Sequence, residues 1–288
     1  MVKGTSTALI TPFTNDEIDF EALENLLEFQ LKGNVNSLVV LGTTGEPATM
    51  TREEKISVVR FVVDYVKGRL PIIVGAGSNS TAQTIENAKM FTDLGADGFL
   101  MVTPYYNKCT SLGLVKHFTK VAEKISLPII LYNVPGRTGV NMLPETFATL
   151  ADIDNIVAIK EASGNMEQIE ECILLAKGKA DVISGDDSLT VPIMAMGGVG
   201  VISVASNVVP SFVSTMTSSF LNGDMKTAVD MQLKLLPLVK ALFSEVNPIP
   251  VKKCAEILGL CSGELRLPLT QLTDKNRVAL ESAMKDFV

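Results

Sequence analysis

Short runs of β-branched and apolar residues recur along the chain, each closed by Gly, Pro, Asn, Asp or Thr. They predict strands at 5–11, 37–42, 71–75, 98–103, 128–133, 156–160, 181–184 and 199–204. Between them, apolar positions follow a helical period, as in Glu21–Leu31, Arg52–Val66, Thr81–Asp93 and Met166–Ala176. Thr51 with Glu54 makes a capping-box pattern, and Asn165 with Gln168 gives a similar helix-start signal. Strands alternating with helices are βαβ units, which build a parallel sheet. Eight of them favour an α/β fold of the closed (β/α)8, or TIM-barrel, kind; an open eight-stranded sheet has the same spacing. After the last strand the pattern turns helical, over Asp224–Phe243, Val251–Leu258 and Asp274–Phe287. The expected organisation is a barrel over 1–223 and a C-terminal helical region over 224–288 that extends it.

Composition narrows the function classes. The 288 residues are 47% apolar and 20% charged, which excludes disorder and supports a large core. The mean hydropathy of +0.30 suits strands buried on both faces. Against 32 acidic residues stand 25 basic ones, and the net charge of −7 repels a phosphate backbone, so no nucleic-acid partner is expected. Cys109, Cys172, Cys254 and Cys261 are scattered without CxxC spacing, which argues against a disulfide framework or a zinc site and for a reducing cytoplasm. The N-terminal MVKGTSTALITPF is interrupted by Thr11 and Pro12, unlike a signal peptide. No apolar run approaches the ~18 residues of a membrane span.

In a barrel, reactive groups sit at the C-terminal ends of the strands. Those ends read Gly42-Thr43-Thr44-Gly45-Glu46, Thr103-Pro104-Tyr105-Tyr106, Tyr132-Asn-Val-Pro-Gly-Arg137, Lys160-Glu-Ala-Ser163 and Ser184-Gly185-Asp186-Asp187. Lys160 follows four apolar residues. Burial disfavours an ammonium, and a neutral amine is what attack on a carbonyl needs. A strand-end lysine can equally snorkel to water or pair with a carboxylate. Tyr132 and Tyr106 can relay protons or simply pack the barrel rim. Thr43 and Thr44 lie between glycines, in a turn that can offer hydroxyls and N–H groups to a small carboxylate or can be just a tight βα connection. Arg137 can clamp a carboxylate or form a surface ion pair.

Other chemistries have less support. The lone His117 lies in a helical stretch and reads as a helix-surface or packing residue, which leaves no HExxH site or Ser-His-Asp triad. Gly75-Ala-Gly77-Ser-Asn-Ser80 misses the third glycine of a dinucleotide fingerprint. Asp186-Asp187 could hold a metal but has no partner cluster in the sequence, and two acids there oppose the phosphate site common in barrels.

Taken together, Gly42-Thr-Thr-Gly-Glu46, Tyr132-Asn-Val-Pro-Gly-Arg-Thr138, Ile159-Lys160-Glu-Ala and Asn247-Pro-Ile-Pro-Val-Lys252 resemble the dihydrodipicolinate synthase family, in motif order and spacing over essentially the whole chain. That family belongs to the pyruvate-dependent class I aldolases, which include N-acetylneuraminate lyase. The resemblance implies a barrel that condenses pyruvate with L-aspartate-4-semialdehyde, without cofactor or metal, because a lysine amine is the electron sink. It implies Lys160 as the Schiff-base lysine and Tyr132, Thr43 and Tyr106 as a proton relay. It further implies Thr43 and Thr44 at the pyruvate carboxylate, Arg137 at the aldehyde's carboxylate, and Gly185 and Ile202 along the pyruvate pocket. A lyase for a keto sugar acid would share Lys160 and Tyr132, and Arg137 speaks for the amino-acid aldehyde. The family also implies a homo-oligomer, usually a dimer of dimers, in which Tyr106 reaches a neighbouring subunit's site.

Many such enzymes are inhibited by lysine. The matching positions are Pro47, Ala48, Arg52, Lys55, Asn79, Gln83 and Tyr105. Gln83 replaces a glutamate and Lys55 a histidine of sensitive members, so insensitivity to lysine is expected.

Overall fold

In a computed structural model that describes residues 3–287, the alternation of strand and helix closes on itself. The strands are β1 (Gly4–Ala8), β2 (Ser37–Val40), β3 (Ile72–Gly75), β4 (Gly98–Val102), β5 (Ile129–Asn133), β6 (Ile156–Glu161), β7 (Asp181–Ser184) and β8 (Gly200–Ser203). All eight run parallel, and β8 pairs back onto β1 through Gly4 opposite Gly200. The helices are α1 (Phe20–Lys32), α2 (Arg52–Val66), α3 (Thr81–Asp93), α4 (Ser111–Ala122), α5 (Pro144–Leu150), α6 (Met166–Ala176), α7 (Thr190–Ala195) and α8 (Pro210–Leu221), followed by α9 (Met225–Leu242), α10 (Ile249–Ile257) and α11 (Asp274–Met284). The capping box is present at Thr51 and Glu54, and Asn165 accepts from the Gln168 N–H. None of the helices described is long and apolar enough to cross a membrane.

Two strand ends differ from expectation by more than one residue. The second strand stops at Val40, not residue 42, because Leu41 takes a left-handed conformation (φ 56) that ends the pleat. Gly75 makes this possible: a Cβ there would lie 2.0 Å from the Leu41 carbonyl oxygen. The Gly75–Ser80 pattern therefore serves close backbone packing. The first strand stops at Ala8, not residue 11. The chain then turns past Pro12, which has no N–H to continue a ladder, into a two-residue antiparallel hairpin, Phe13–Thr14 with Glu17–Ile18. That hairpin was absent from the expected elements.

Period-two alternation divides the strand residues between two cores. Ala8, Val39, Ile73, Leu100, Ile130, Ala158, Ile183 and Ile202 fill the barrel interior. Their neighbours Leu38, Val74, Phe99, Ile129, Leu131 and Ile159 face the helices. A third cluster joins barrel residues Ile10, Val201 and Val204 to Leu235, Leu238, Val251 and Leu280 of α9–α11. The C-terminal helices thus share a core with the β8 side of the barrel.

They also reach the turn after β2. Lys252 of α10 and Glu46 form an ion pair at 2.5 Å, with side chains 0% and 1% exposed. The Lys252 Nζ also donates to the Glu264 carbonyl at 2.8 Å and lies 4.0 Å above the Phe13 ring centre, in the hairpin. Breaking a buried pair on one side strands the other charge. Lys252→Met is expected to lower stability by about 3–5 kcal/mol in urea denaturation, with Glu46→Gln added to it recovering much of the loss. A loss below about 1 kcal/mol for the single variant would show that Glu46 is solvated without Lys252.

Candidate active site

Register decides which strand-end side chains meet. Tyr132 on β5 stands opposite Lys160 on β6, and Lys160 stands opposite Ile183 on β7. Paired residues of adjacent strands share a face, so Tyr132 and Lys160 both point into the barrel while Glu161 points outward. The Lys160 Nζ lies 4.4 Å from the Tyr132 ring centre. Behind it, Gly185 follows the end of β7, and a Cβ there would lie 2.7 Å from the Ala162 Cβ and 3.1 Å from the Lys160 Cε. Ile202 of β8 is buried in the same interior cluster.

Lys160 is 5% exposed. Burial pulls its amine down to about 8, with the Asp187 carboxylate opposing the shift and the Arg137 guanidinium adding to it. Burial pushes the Tyr132 phenol upward, partly offset by Arg137 and by the neighbouring Thr43 hydroxyl. At neutral pH the phenol therefore keeps its proton, and an appreciable fraction of the lysine lacks one.

The loop after β2 forms a 3-10 turn at Thr43–Gly45, held between the left-handed Leu41 and Glu46 (φ 54). Thr44 is buried and its Oγ1 accepts from Asn247 Nδ2 at 2.9 Å. Arg137 projects from a short helix, Pro135–Thr138, and donates from Nη2 to the Asn247 carbonyl at 3.2 Å. A cavity of about 720 Å³ opens here, with Thr43, Tyr132, Arg137 and Asn247 in its wall.

Seven of the eight expected site residues thus lie around the C-terminal mouth of the barrel. The exception is Tyr106, which sits with φ 70 on the loop after β4 and is 91% exposed; of the other seven, Thr43, Tyr132 and Arg137 line the cavity itself. The same cavity extends past Pro47, Ala48, Arg52, Lys55, Gln83 and Tyr105. There Glu86 is taken by Arg52 at 2.5 Å and Glu46 by Lys252, while the Gln83 amide donates to Asn87 Oδ1 at 3.0 Å.

Several residues outside the expected site set support it. Asp187 is buried and accepts from Ser203 Oγ and the N–H groups of Val204 and Ala205, tying the end of β7 to that of β8. Asp186 accepts from the Ser188 N–H. The paired acids thus brace the loops. Glu161 is buried outside the barrel and accepts from Asn133, Ser163 and Gln168. Burial pushes its carboxyl upward. It locks the ends of β5 and β6 together on the face opposite Lys160. His117 is a packing residue in α4, hydrogen-bonded through Nδ1 to Thr81 at 2.8 Å.

The fold and site define a (β/α)8 barrel with a desolvated amine and a phenol at its mouth, the equipment of a carbonyl-condensing enzyme. The dihydrodipicolinate synthetase family model matches residues 1–287, and the chain belongs to that family. The 4-hydroxy-tetrahydrodipicolinate synthase of Caldicellulosiruptor bescii is 50% identical over 288 residues, covering 100% of this chain and 97% of its own. The crystal structure of dihydrodipicolinate synthase from Thermotoga maritima superposes with a TM-score of 0.98 at 44% identity, covering 99% of this chain and 98% of its own. The Acinetobacter baumannii enzyme, in complex with pyruvate, gives 0.98 at 41% identity over 100% of both chains.

Gly185→Ala would drive a methyl group against Ala162 and Lys160. The expected cost is about 1–3 kcal/mol in urea denaturation, with the Lys160 side chain displaced in a crystal structure of the variant. An unchanged Lys160 position at wild-type stability would show that the pocket has slack.

Proposed function

We infer that the chain condenses pyruvate with L-aspartate-4-semialdehyde to give 4-hydroxy-tetrahydrodipicolinate, the first step of the diaminopimelate route to lysine. Full-length likeness to curated synthases supports the reaction, as does a solved relative in complex with pyruvate. The observation that carries the mechanism is the Lys160 amine, buried opposite Tyr132 and pulled down to about 8.

The Lys160 amine attacks the pyruvate carbonyl carbon, and loss of water from the carbinolamine leaves an imine. Loss of a methyl proton gives an enamine, whose carbon bonds to the aldehyde carbon while the aldehyde oxygen gains a proton. The substrate's own amine then adds to the imine carbon and expels Lys160, closing the ring. One water leaves overall, and nothing is oxidised or reduced. Tyr132, with its proton retained, and Thr43 beside it serve as the relay. Thr44 and the turn around it receive the pyruvate carboxylate, Arg137 receives the carboxylate of the second substrate, and Gly185 and Ile202 bound the pyruvate pocket. The protein amine is the electron sink, so the proposal needs no cofactor.

Tyr106 is assigned to the site of a neighbouring subunit in a homo-oligomer, a dimer of dimers, which accounts for its exposed position on its own chain. We assign the enzyme to the cytoplasm, whose reducing conditions suit its four free cysteines. The division at residue 223 is one of architecture only, since Asn247 and Lys252 both contact the turn after β2.

Borohydride reduction with pyruvate is expected to fix an adduct on Lys160, faster as pH rises through about 8, where the ammonium gives way to the reactive amine. Peptide mapping to another lysine, or no adduct, would refute the mechanism. Mixed oligomers of inactive Tyr106→Phe and Lys160→Ala chains should regain activity, because each hybrid pair can assemble one intact site. Absence of recovery in verified hybrids would mean that each chain is self-sufficient. Finally, added lysine should leave the initial rate unchanged at physiological concentrations. Lys55 repels a cationic ligand, the neutral Gln83 offers it no ionic partner, and Glu86 and Glu46 are already paired. Clear inhibition at sub-millimolar lysine would overturn this.

A further inference from the structure

Asn247 joins both proposed carboxylate receptors from outside the barrel. It lies just ahead of α10, lines the cavity, and is 6% exposed. Its side-chain amide bonds the Thr44 hydroxyl at 2.9 Å, and its backbone carbonyl accepts from the Arg137 guanidinium at 3.2 Å. Five residues on, Lys252 pairs with Glu46, two residues past Thr44. The 44–46 turn is therefore held from the C-terminal region at two points.

The polarity of the first contact has a chemical consequence. A hydroxyl has one proton and can also accept, whereas an amide NH2 only donates. With Nδ2 facing Thr44, the hydroxyl accepts from the amide, and its own proton is left for another acceptor. A pyruvate carboxylate accepts only, so a hydroxyl whose proton is left free is its complement. The reverse arrangement, with the amide oxygen accepting from Thr44, would aim hydroxyl lone pairs at the carboxylate. The remaining amide oxygen, Oδ1, is buried with no hydrogen-bond partner among the described residues, so the Thr44 contact is what the side chain gains from its placement.

We propose that Asn247 is a positioning residue for pyruvate: its amide commits the Thr44 hydroxyl to donate to the substrate carboxylate and ties that donor to Arg137. This rests on the reading of Thr44 given above. It predicts that hydrogen-bond direction, and not only packing, matters at position 247. Asn247→Asp has nearly the same shape but accepts only. It would take the Thr44 proton for itself and set a negative charge beside the carboxylate subsite. Asn247→Ala would merely release the hydroxyl to rotate.

The test is the pyruvate concentration that half-saturates borohydride trapping at Lys160, measured without the second substrate. It should rise from wild type to Asn247→Ala to Asn247→Asp, the last by at least about tenfold, as expected for losing a hydrogen bond to a charged group. Adding Thr44→Val should erase most of the difference between Asn and Ala at position 247. This second comparison decides the matter even if the aspartate variant fails to fold. Unchanged half-saturation in a folded Asn247→Asp protein, or additive effects of Asn247→Ala and Thr44→Val, would overturn the proposal. If wild-type protein forms no adduct with pyruvate, it is the proposed reaction that fails.

Discussion

Removing one amine from water is the constraint around which this site is arranged. Lys160 ends up inside the barrel because β6 alternates in register with β5 and β7, and the interior it enters is mostly aliphatic, with the Tyr132 ring beside it. Its pKa of about 8, against 10.5 for an ordinary lysine, corresponds to roughly 3 kcal/mol set against its ammonium form. Asp187 limits the effect. Held by one hydroxyl and two backbone N–H groups, it supplies a nearby carboxylate that keeps the amine from being pulled lower. Arg137 acts in the opposite sense, and the balance leaves an amine that can exist in both forms near neutrality.

The second feature is the dependence of the mouth on the C-terminal region. In a barrel the loops after the strands suffice to carry a site. Here the loop after β2 contains two non-glycine residues in left-handed conformation, Leu41 and Glu46, which typically cost about 1–2 kcal/mol each. That geometry persists because its surroundings hold it. Gly75 yields space to the Leu41 carbonyl, Lys252 neutralises Glu46, and Asn247 bonds Thr44. Arg266, bonded to Glu54 of α2 and stacked over Phe13, adds a further tie between the C-terminal segment and the start of the chain.

Polar burial is used differently on the two faces of the strand ends. Inside, Lys160 has a phenol ring and glycine for neighbours, which keeps it reactive. Outside, Glu161 is saturated with amide and backbone donors, which makes it rigid. Adjacent residues on one strand thus receive opposite treatments, and the stiff carboxylate network lies directly behind the amine that must act.

Much of this was legible from local pattern. Strand and helix periods, the Thr51 capping box and the order of the motifs gave eight βα units with ends correct to within a few residues, because alternation and capping are short-range effects. Lys160 stood out because its own strand neighbours are apolar. The left-handed turn at Leu41, the hairpin at Phe13–Ile18 and the bracing by Asp187 were not legible, since each is dictated by a partner far along the chain. Asn247 meets Thr44 across 203 residues and Lys252 meets Glu46 across a similar distance, so their motif was visible while its purpose was not. Tyr106 marks the same boundary. The strand-end tyrosine could be read from the sequence, but only the folded chain leaves it 91% exposed on the loop after β4. Periodicity assigns each residue to an element and a face; closure of the barrel and docking of α10 decide which faces meet and how much water is left between them.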